Sequence, residues 1–334
     1  MNNLHTNSPC CIALIRRYGP RRRQCAKCLH TWRIRHKTLG RKRRRVSVNL
    51  ARQYLSRELP SLKALARRRG CNRSTLGYIL RASLKDFDRR VGWQDAPAQG
   101  YLVAVADACV VQVDKKPCTI YLILLKGIND TRAVISAPYF ALGYENEADW
   151  LAAFGKLSPA IKQRIRALIC DGAQSLRGVA IEHHWLIQRC HFHLVLSLGS
   201  YLSQGKKSRH PVYARLVFTA LYQVLKAYPW VKAARGLYYL NYLAGFTKSR
   251  GFHKVINGFL TYAREYRTYR EYPELHLPTT TNTAESLVGC IKRLLTQTRG
   301  MRTKRSLDLW LNCLLKHLGT ITCHGYDQKK NQPN

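Results

Sequence analysis

Apolar and polar residues follow two rhythms along the chain, and the rhythm changes at a few punctuated boundaries. In "SLKALARRRGCNRSTLGYIL", residues 61–80, Leu62, Leu65, Ala66, Leu76, Ile79 and Leu80 recur at helical spacing on either side of Gly70. That spacing predicts two short helices joined at the glycine. "GWQDAPAQG", residues 92–100, is broken by Gly and Pro, and beyond it the pattern turns to strands. "YLVAVADACVVQV" and "CTIYLILLKGI" are apolar and rich in β-branched residues, and "TRAVISAPYF" follows, so adjacent strands are expected there. "NEADWLAAFGKLS" and "PAIKQRIRAL" read as helices, "ALICDG" as a short buried strand ending at Asp171, and "QRCHFH" as the next strand. From about 194 to 278 the pattern is helical, as in "YARLVFTALYQVLKAY" and "VKAARGLYYLNYLAGF". Strands followed by alternating helix and strand imply a mixed α/β layer, here interrupted by a helical block.

Two features refine this outline. Ala66 sits four residues before Gly70, and Leu76 and Ile79 follow at the spacing that packs a second helix across a first. This matches a helix-turn-helix, in which Asn72, Arg73, Ser74 and Thr75 open the recognition helix; an ordinary helical hairpin has the same periodicity. After "LPTTTNTAESLVG", Leu287, Val288, Ile291, Leu294 and Leu295 fall at helical spacing, and Asn282 with Glu285 three residues on reads as a capping box. In "YAREYRTYREY", Tyr262, Tyr266 and Tyr269 share one helical face and Arg264, Arg267 and Arg270 another. Tyrosines in a core with solvated arginines fit that pattern as well as phosphate tracking does.

Charge changes the picture most. The 334 residues carry 57 Lys and Arg against 18 Asp and Glu, a formal charge of +39. This exceeds what solubility needs and points to a polyanionic partner, nucleic acid before a membrane surface. No acid precedes Glu58, and "RRYGPRRRQCAKCLHTWRIRHKTLGRKRRR" interleaves arginines with aromatics and cysteines, as a nucleic-acid arm would. No apolar run approaches the roughly 20 residues of a membrane span, and "MNNLHTNSPCC" lacks the apolar core of a secretory leader, so a cytoplasmic location is expected. Twelve cysteines spread over this length suit core thiols and a metal site better than a disulfide framework. Cys25 and Cys28 have metal-ligand spacing; the adjacent Cys10 and Cys11, with His5 or His30, are the candidates to complete a zinc site.

The acids are few enough to weigh singly. Asp107 lies inside the apolar run "VAVADACVV", where an unpaired carboxylate is costly; a divalent cation, a strand end or an arginine could compensate it. Asp171 follows a strand in "LICDGAQSLRG" and suits a turn or an N-cap. Glu285 is the sole acid between Glu274 and Asp308. Cys190 and His193 offer two ligands, which make no closed metal site, so packing or substrate positioning is the preferred role; on a strand His191 would face away from Cys190 and Phe192. Arg299, Arg302, Lys304 and Arg305 could hold phosphates or form a solvated basic loop.

The order is informative as a whole: Asp on a first apolar strand, Asp-Gly after a later one, "QRCHFH", a long helical block, then "TTTNTAES" opening a helix. It resembles the DDE transposases of bacterial insertion sequences, in the group related to the plant Mutator elements, from the Cys25–Cys28 motif to about Trp310. The resemblance implies an RNase H-like mixed-sheet core (100–195 and 279–318) with an all-helical insertion (196–278). A zinc-ribbon-like basic arm (1–45) and a helix-turn-helix (46–95) precede it, and a tail (319–334) follows. It implies a catalytic triad of Asp107, Asp171 and Glu285 that holds two Mg2+, with Mn2+ as substitute, and it matches Cys190 and His193 to the family's Cys-x-x-His element. It further implies duplex DNA partners, the inverted repeats and the target, a homodimer on paired ends, and association with a bacterial nucleoid. The chain departs from the pattern in its adjacent first cysteines and its short length. A transposase-derived DNA-binding repressor, an RNase H-like nuclease that cleaves without joining, and a basic RNA-packaging protein are the competing readings.

Overall fold

The structure, a computed structural model, describes residues 10, 11, 13, 15–18, 22–33, 47–56, 61–202, 211–246, 250–298 and 303–325. The chain divides into a small unit up to Val46 and a large one from Ser47 onward. In the small unit β1 (Ile15–Arg17), β2 (Arg22–Cys25) and β3 (Thr31–Arg33) form an antiparallel sheet in that order.

The large unit begins with α1 (Val48–Leu55), α2 (Leu62–Arg68) and α3 (Arg73–Arg90). Gly70, at φ 56°, makes the left-handed turn between α2 and α3 that a residue with a Cβ would resist. Asn72 caps α3 by accepting from the Thr75 N–H at 2.8 Å. Two long strands follow, β4 (Leu102–Val113) and β5 (Lys116–Gly127), closed by Asp114 and Lys115, both at positive φ, as a tight two-residue hairpin requires. Next come β6 (Arg132–Ile135), β7 (Tyr139–Leu142), α4 (Glu147–Gly155), α5 (Pro159–Arg164), β8 (Ile165–Cys170), α6 (Gln174–Glu182) and β9 (Leu186–Arg189). The helical block is α7 (His191–Leu202), α8 (Pro211–Lys226), α9 (Trp230–Gly245), α10 (Arg250–Thr261) and α11 (Thr268–Glu271); α12 (Asn282–Gln297), α13 (Lys304–Leu318) and β10 (Thr320–Thr322) complete the described fold.

The main sheet runs β10-β6-β5-β4-β8-β9, with β7 on the near end of β5. Its β6-β5-β4 part is antiparallel, whereas β8 and β9 run parallel to β4. This is the mixed sheet of an α/β fold. Side chains alternate across β4: Val103, Val105, Cys109, Val111 and Val113 face the core shared with α1, α3, α12 and α13. Leu102, Ala104 and Ala106 face the core built with α4 and α6. Burial on both faces is why β4 reads as a nearly unbroken apolar run. The helical block packs a core of its own, around Leu198, Val217, Leu221, Leu240 and Phe259.

Several expectations change. The helix expected over "PAIKQRIRAL" stops at Arg164, and Ile165–Leu168 belong to β8, where pairing with β4 outweighs the helical spacing of the isoleucines. "TRAVISAPYF" divides into β6 and β7 around Pro138, which cannot donate to a ladder. In "QRCHFH" only Gln188 and Arg189 lie on a strand; His191 opens α7, so the alternation expected for Cys190, His191 and Phe192 does not exist. The "YAREYRTYREY" segment is not one helix, and Arg267 is buried among carbonyls of Val224, Leu225 and Ala227 rather than solvated. Residues 320–322, in the segment read as a tail, pair with β6. The helices of the 46–95 segment share one continuous core with the sheet.

Candidate functional site

Topology brings the two aspartates to one place. The last paired residues of parallel β4 and β8 are Val105 and Ile169; two residues on stand Asp107, still within β4, and Asp171, just past the end of β8 rather than on it. A step of two keeps the side chain on the same face, the one carrying Val103, Val105 and Ile169. Helix α12 packs on that face through Ala284, Leu287, Val288 and Ile291, with Glu285 in its first turn. The Asp107 carboxyl is pushed up to about 7, first by burial and further by the negative charges of Asp171 and Glu285. The Ala108 N–H, 2.8 Å from its Oδ1, and the charge of His193 oppose that rise without cancelling it. The three acids, 64 and 114 residues apart in sequence, come near enough for Asp107 to feel the other two, but they are not among the groups of described residues whose ligand atoms all lie within 4.8 Å of one another.

Each acid is held by its backbone setting. Asp171 Oδ1 accepts from the Ala173 N–H at 2.8 Å, closing a turn in which Gly172 has φ 95°; Ala173, not Asp171, is the N-cap of α6. A Cβ on Gly172 would collide with the Arg189 guanidinium. The capping box expected of Asn282 and Glu285 is absent: Asn282 is already helical and Thr281 occupies the cap position without a side-chain cap bond. Thr281 Oγ1 lies 3.1 Å from Glu285 Oε1 and can donate to it, so a hydroxyl is in place to orient Glu285.

Cys190 and His193 stand next to this carboxylate. The Cys190 N–H donates to the Cys170 carbonyl at 2.8 Å and the His191 N–H to the Thr279 carbonyl at 2.8 Å, tying the start of α7 to the end of β8 and to the segment before α12. Cys190 is fully buried; its Sγ accepts from the Thr281 N–H at 3.2 Å and lies 3.3 Å from Thr281 Oγ1, whose single proton can go to this sulfur or to Glu285 but not to both. His193 Nδ1 lies 3.6 Å from Glu285 Oε1. Burial would raise the Cys190 thiol, yet the bonds from His193 and Thr281 outweigh it and lower its pKa. His193 is pushed up to about 9, first by its bond to Cys190 and then, against burial, by the charges of Cys190, Asp171 and Glu285. A protonated imidazole thus faces the carboxylates. His191 behaves oppositely: burial pulls it down to about 4, and neutral Nε2 bonds the Tyr266 carbonyl at 2.7 Å.

Sequence reasoning missed the partners that support the site. Arg189 Nε meets Glu265 Oε2 at 2.6 Å and Arg177 Nε meets Glu265 Oε1 at 2.9 Å, while the Arg189 guanidinium stacks 3.7 Å from the Tyr262 ring centre. Arg189 Nη2 is buried without a hydrogen-bond partner. This network lies beneath the Asp171–Gly172 turn. Hydroxyls crowd "TTTNTAES", and spacing does not single out Thr281 among them.

In the small unit, Cys10, Cys11, Cys25 and Cys28 bring their sulfurs within 4.8 Å of one another, and Cys10 Sγ lies 3.3 Å from Cys28 Sγ. A tetrahedral zinc with bonds of about 2.3 Å needs sulfurs roughly 3.8 Å apart, so this cluster can bind a metal such as zinc. The Cys25–Cys28 turn is closed by Leu29 N–H to Cys25 O at 3.1 Å and Cys25 N–H to His30 O at 2.9 Å. The Cys11 thiol is pushed up to about 12, first by hydrogen bonding with Cys28, and a cation would reverse that preference. Of the histidines named as alternatives, His30 is not part of this cluster and stacks on Trp32, and His5 lies outside the described residues.

Asn72, Arg73, Ser74 and Thr75 are exposed together at the start of α3. Arg299 and Arg302 lie outside the described residues; Lys304 Nζ bonds the Phe140 carbonyl at 3.2 Å, and Arg305 shares a cleft with Arg81 and Lys85. Among the described residues no helix is long and apolar enough to cross a membrane. No protein-family model matches the chain, and no curated protein matches it.

Proposed function

We propose that this protein is a DNA transposase whose RNase H-like core cuts and joins DNA strands at a centre formed by Asp107, Asp171 and Glu285. The observation that carries the reading is that Asp107, on β4, stands near enough to Asp171, at the end of β8, and to Glu285, at the start of α12, to feel the negative charge of both. A sheet that is antiparallel over β6-β5-β4 and parallel over β4-β8-β9 is compatible with such a core. A carboxylate raised by burial and by the like charges of two others is one that a hard cation relieves, and this supports the reading. Asp107, Asp171 and Glu285 would hold two Mg2+, or Mn2+. Bound there, the ions would activate an attacking oxygen and stabilise a leaving one in an in-line displacement.

The chain's own residues then have separable duties. The Asx turn at Asp171 and the Thr281 hydroxyl aim two carboxylates, and protonated His193 offsets charge beside Glu285. In cleavage a water oxygen attacks phosphorus, the P–O3′ bond breaks, and the 3′-oxygen leaves as a hydroxyl. In joining, that 3′-hydroxyl attacks a phosphorus of the target; the new P–O bond forms as the target's P–O3′ bond breaks, and the displaced 3′-oxygen takes up the proton that the attacking hydroxyl loses. Exposed Asn72–Thr75 on α3, in a chain of charge +39, suit base-edge reading flanked by phosphate contacts. A homodimer on paired ends would supply two such centres.

The test replaces Asp107 by Asn, Asp171 by Asn and Glu285 by Gln one at a time. Each is expected to lose Mg2+-dependent cleavage and joining of a duplex bearing the inverted repeats by about a thousandfold or more, while still retarding that duplex in a gel. Undiminished cleavage in any one variant overturns the triad. Repeat binding without cleavage by the unaltered protein leaves only a DNA-binding repressor, and cleavage without joining leaves a nuclease.

A further inference from the structure

Cys190, His193 and Glu285 bring one sulfur, one nitrogen and one oxygen within 4.8 Å of one another, although Cys190 and His193 alone supply two ligands. Cys190 stands just before α7 and His193 in its first turn, three residues on, so both side chains fall on one side of that helix. Glu285 comes to them from the first turn of α12. The backbone bonds from Cys190 to Cys170 and from His191 to Thr279 fix the two segments together before any ion arrives. Thr281 donates its backbone N–H to the Cys190 sulfur at 3.2 Å, the outer hydrogen bonding that steadies a thiolate ligand.

We infer that Cys190, His193 and Glu285 form a binding site for a zinc-class transition-metal ion. Donor chemistry sets the ion: a buried thiolate and an imidazole favour zinc-class ions, whereas Mg2+ requires oxygen. Tetrahedral bonds of about 2.0–2.3 Å place donors roughly 3.3–3.8 Å apart, close to the present spacing of His193 Nδ1 and Glu285 Oε1, 3.6 Å. Three protein ligands leave a fourth position open, and the half-exposed His193 and Glu285 side chains, 33% and 27% accessible, open it toward solvent.

The position of Glu285 gives the site a consequence that rests on the proposed function. The same carboxylate belongs to the set with Asp107 and Asp171, so a zinc-class ion on Cys190 and His193 withdraws it from that set. Zinc then inhibits strand cleavage by competing for one ligand, without reaching Asp107 or Asp171.

Titration of the full chain with Co2+, followed by thiolate-to-cobalt charge-transfer absorption, tests the site itself. The unaltered chain is expected to take two thiolate-bound ions, one at the four-cysteine cluster and one at Cys190. Cys190→Ser and His193→Ala should each take one; His193 is partly exposed, so its variant remains informative if loss of buried Cys190 disturbs folding. Equal cobalt uptake by all three proteins overturns the site. If the protein cleaves DNA, the zinc concentration that halves Mg2+-dependent cleavage should rise at least about tenfold in His193→Ala relative to its own zinc-free rate. An unchanged value removes the inhibitory role. If it cleaves none, the proposed function fails while the cobalt count still decides whether the site exists.

Discussion

Replacing Asp107 by Asn should make the metal-free protein more stable at neutral pH, although it removes a central functional group. An ionised carboxylate at this place is opposed by burial and by the charges of Asp171 and Glu285, which lift its pKa from 3.8 to about 7. Between those two values the folded state holds a proton that the unfolded chain has released. Stability therefore falls as pH rises through that window, and the full penalty is present above about pH 7. At about 1.36 kcal/mol per pKa unit, the penalty is about 0.5 kcal/mol at pH 4, about 1.7 at pH 5 and about 4 at pH 7 and above. Asn keeps the shape and the Ala108 N–H contact without the charge. With a chelator present, thermal unfolding of the full chain should show Asp107→Asn stabilised by about 2–4 kcal/mol at pH 7.5, a rise of roughly 3–7 °C in the main transition. The gap should shrink to about 0.5 kcal/mol or less at pH 4. Equal or lower stability of the variant at pH 7.5, or a gap independent of pH, would refute the electrostatic account of the site.

Three further outcomes are expected. Gly172→Ala should destabilise the large unit by about 2 kcal/mol or more in denaturant unfolding, since the position needs φ 95° and an added methyl group meets the Arg189 guanidinium. Asn72→Ala should cost about 1 kcal/mol of helix stability through loss of the bond to the Thr75 N–H, seen as faster amide exchange in the first turn of α3. Cys28→Ser should abolish zinc retention by the cluster of Cys10, Cys11, Cys25 and Cys28 and unfold the small unit, while the unfolding transition of the unit from Ser47 stays in place, as judged by calorimetry.

Much of the mixed α/β architecture was legible because long-range and local preferences agree there. β4 and β5 are apolar on both faces and end in a turn of polar residues, and α2 and α3 flank a glycine whose φ only that residue adopts easily. The misreadings have specific causes. Ile161 and Ile165 sit at helical spacing, but Ile165 is captured by the sheet, a tertiary effect that periodicity does not contain. Cys190 and His193 look like strand residues because "QRCHFH" has no breaker, and the turn into α7 is imposed by backbone bonds from Cys190 to Cys170 and from His191 to Thr279, 20 and 88 positions away. Arg267 reads as a surface cation; only the fold shows that carbonyls near the end of α8 enclose it. The candidate acids could be named from the sequence only through the family resemblance, since each alone suits a cap, a turn or a strand end; that Asp107 feels the charge of the other two, and that Glu285 stands beside Cys190 and His193, required the fold.

The proposal that Asp107, Asp171 and Glu285 share metal ions is tested most directly by crystals of the full chain on duplex DNA grown with Mn2+, read by anomalous scattering. The account predicts manganese peaks bounded by oxygens of all three side chains, and loss of at least one peak in Glu285→Gln. Peaks that none of these carboxylates touches, or a filled site that survives that substitution unchanged, would contradict it.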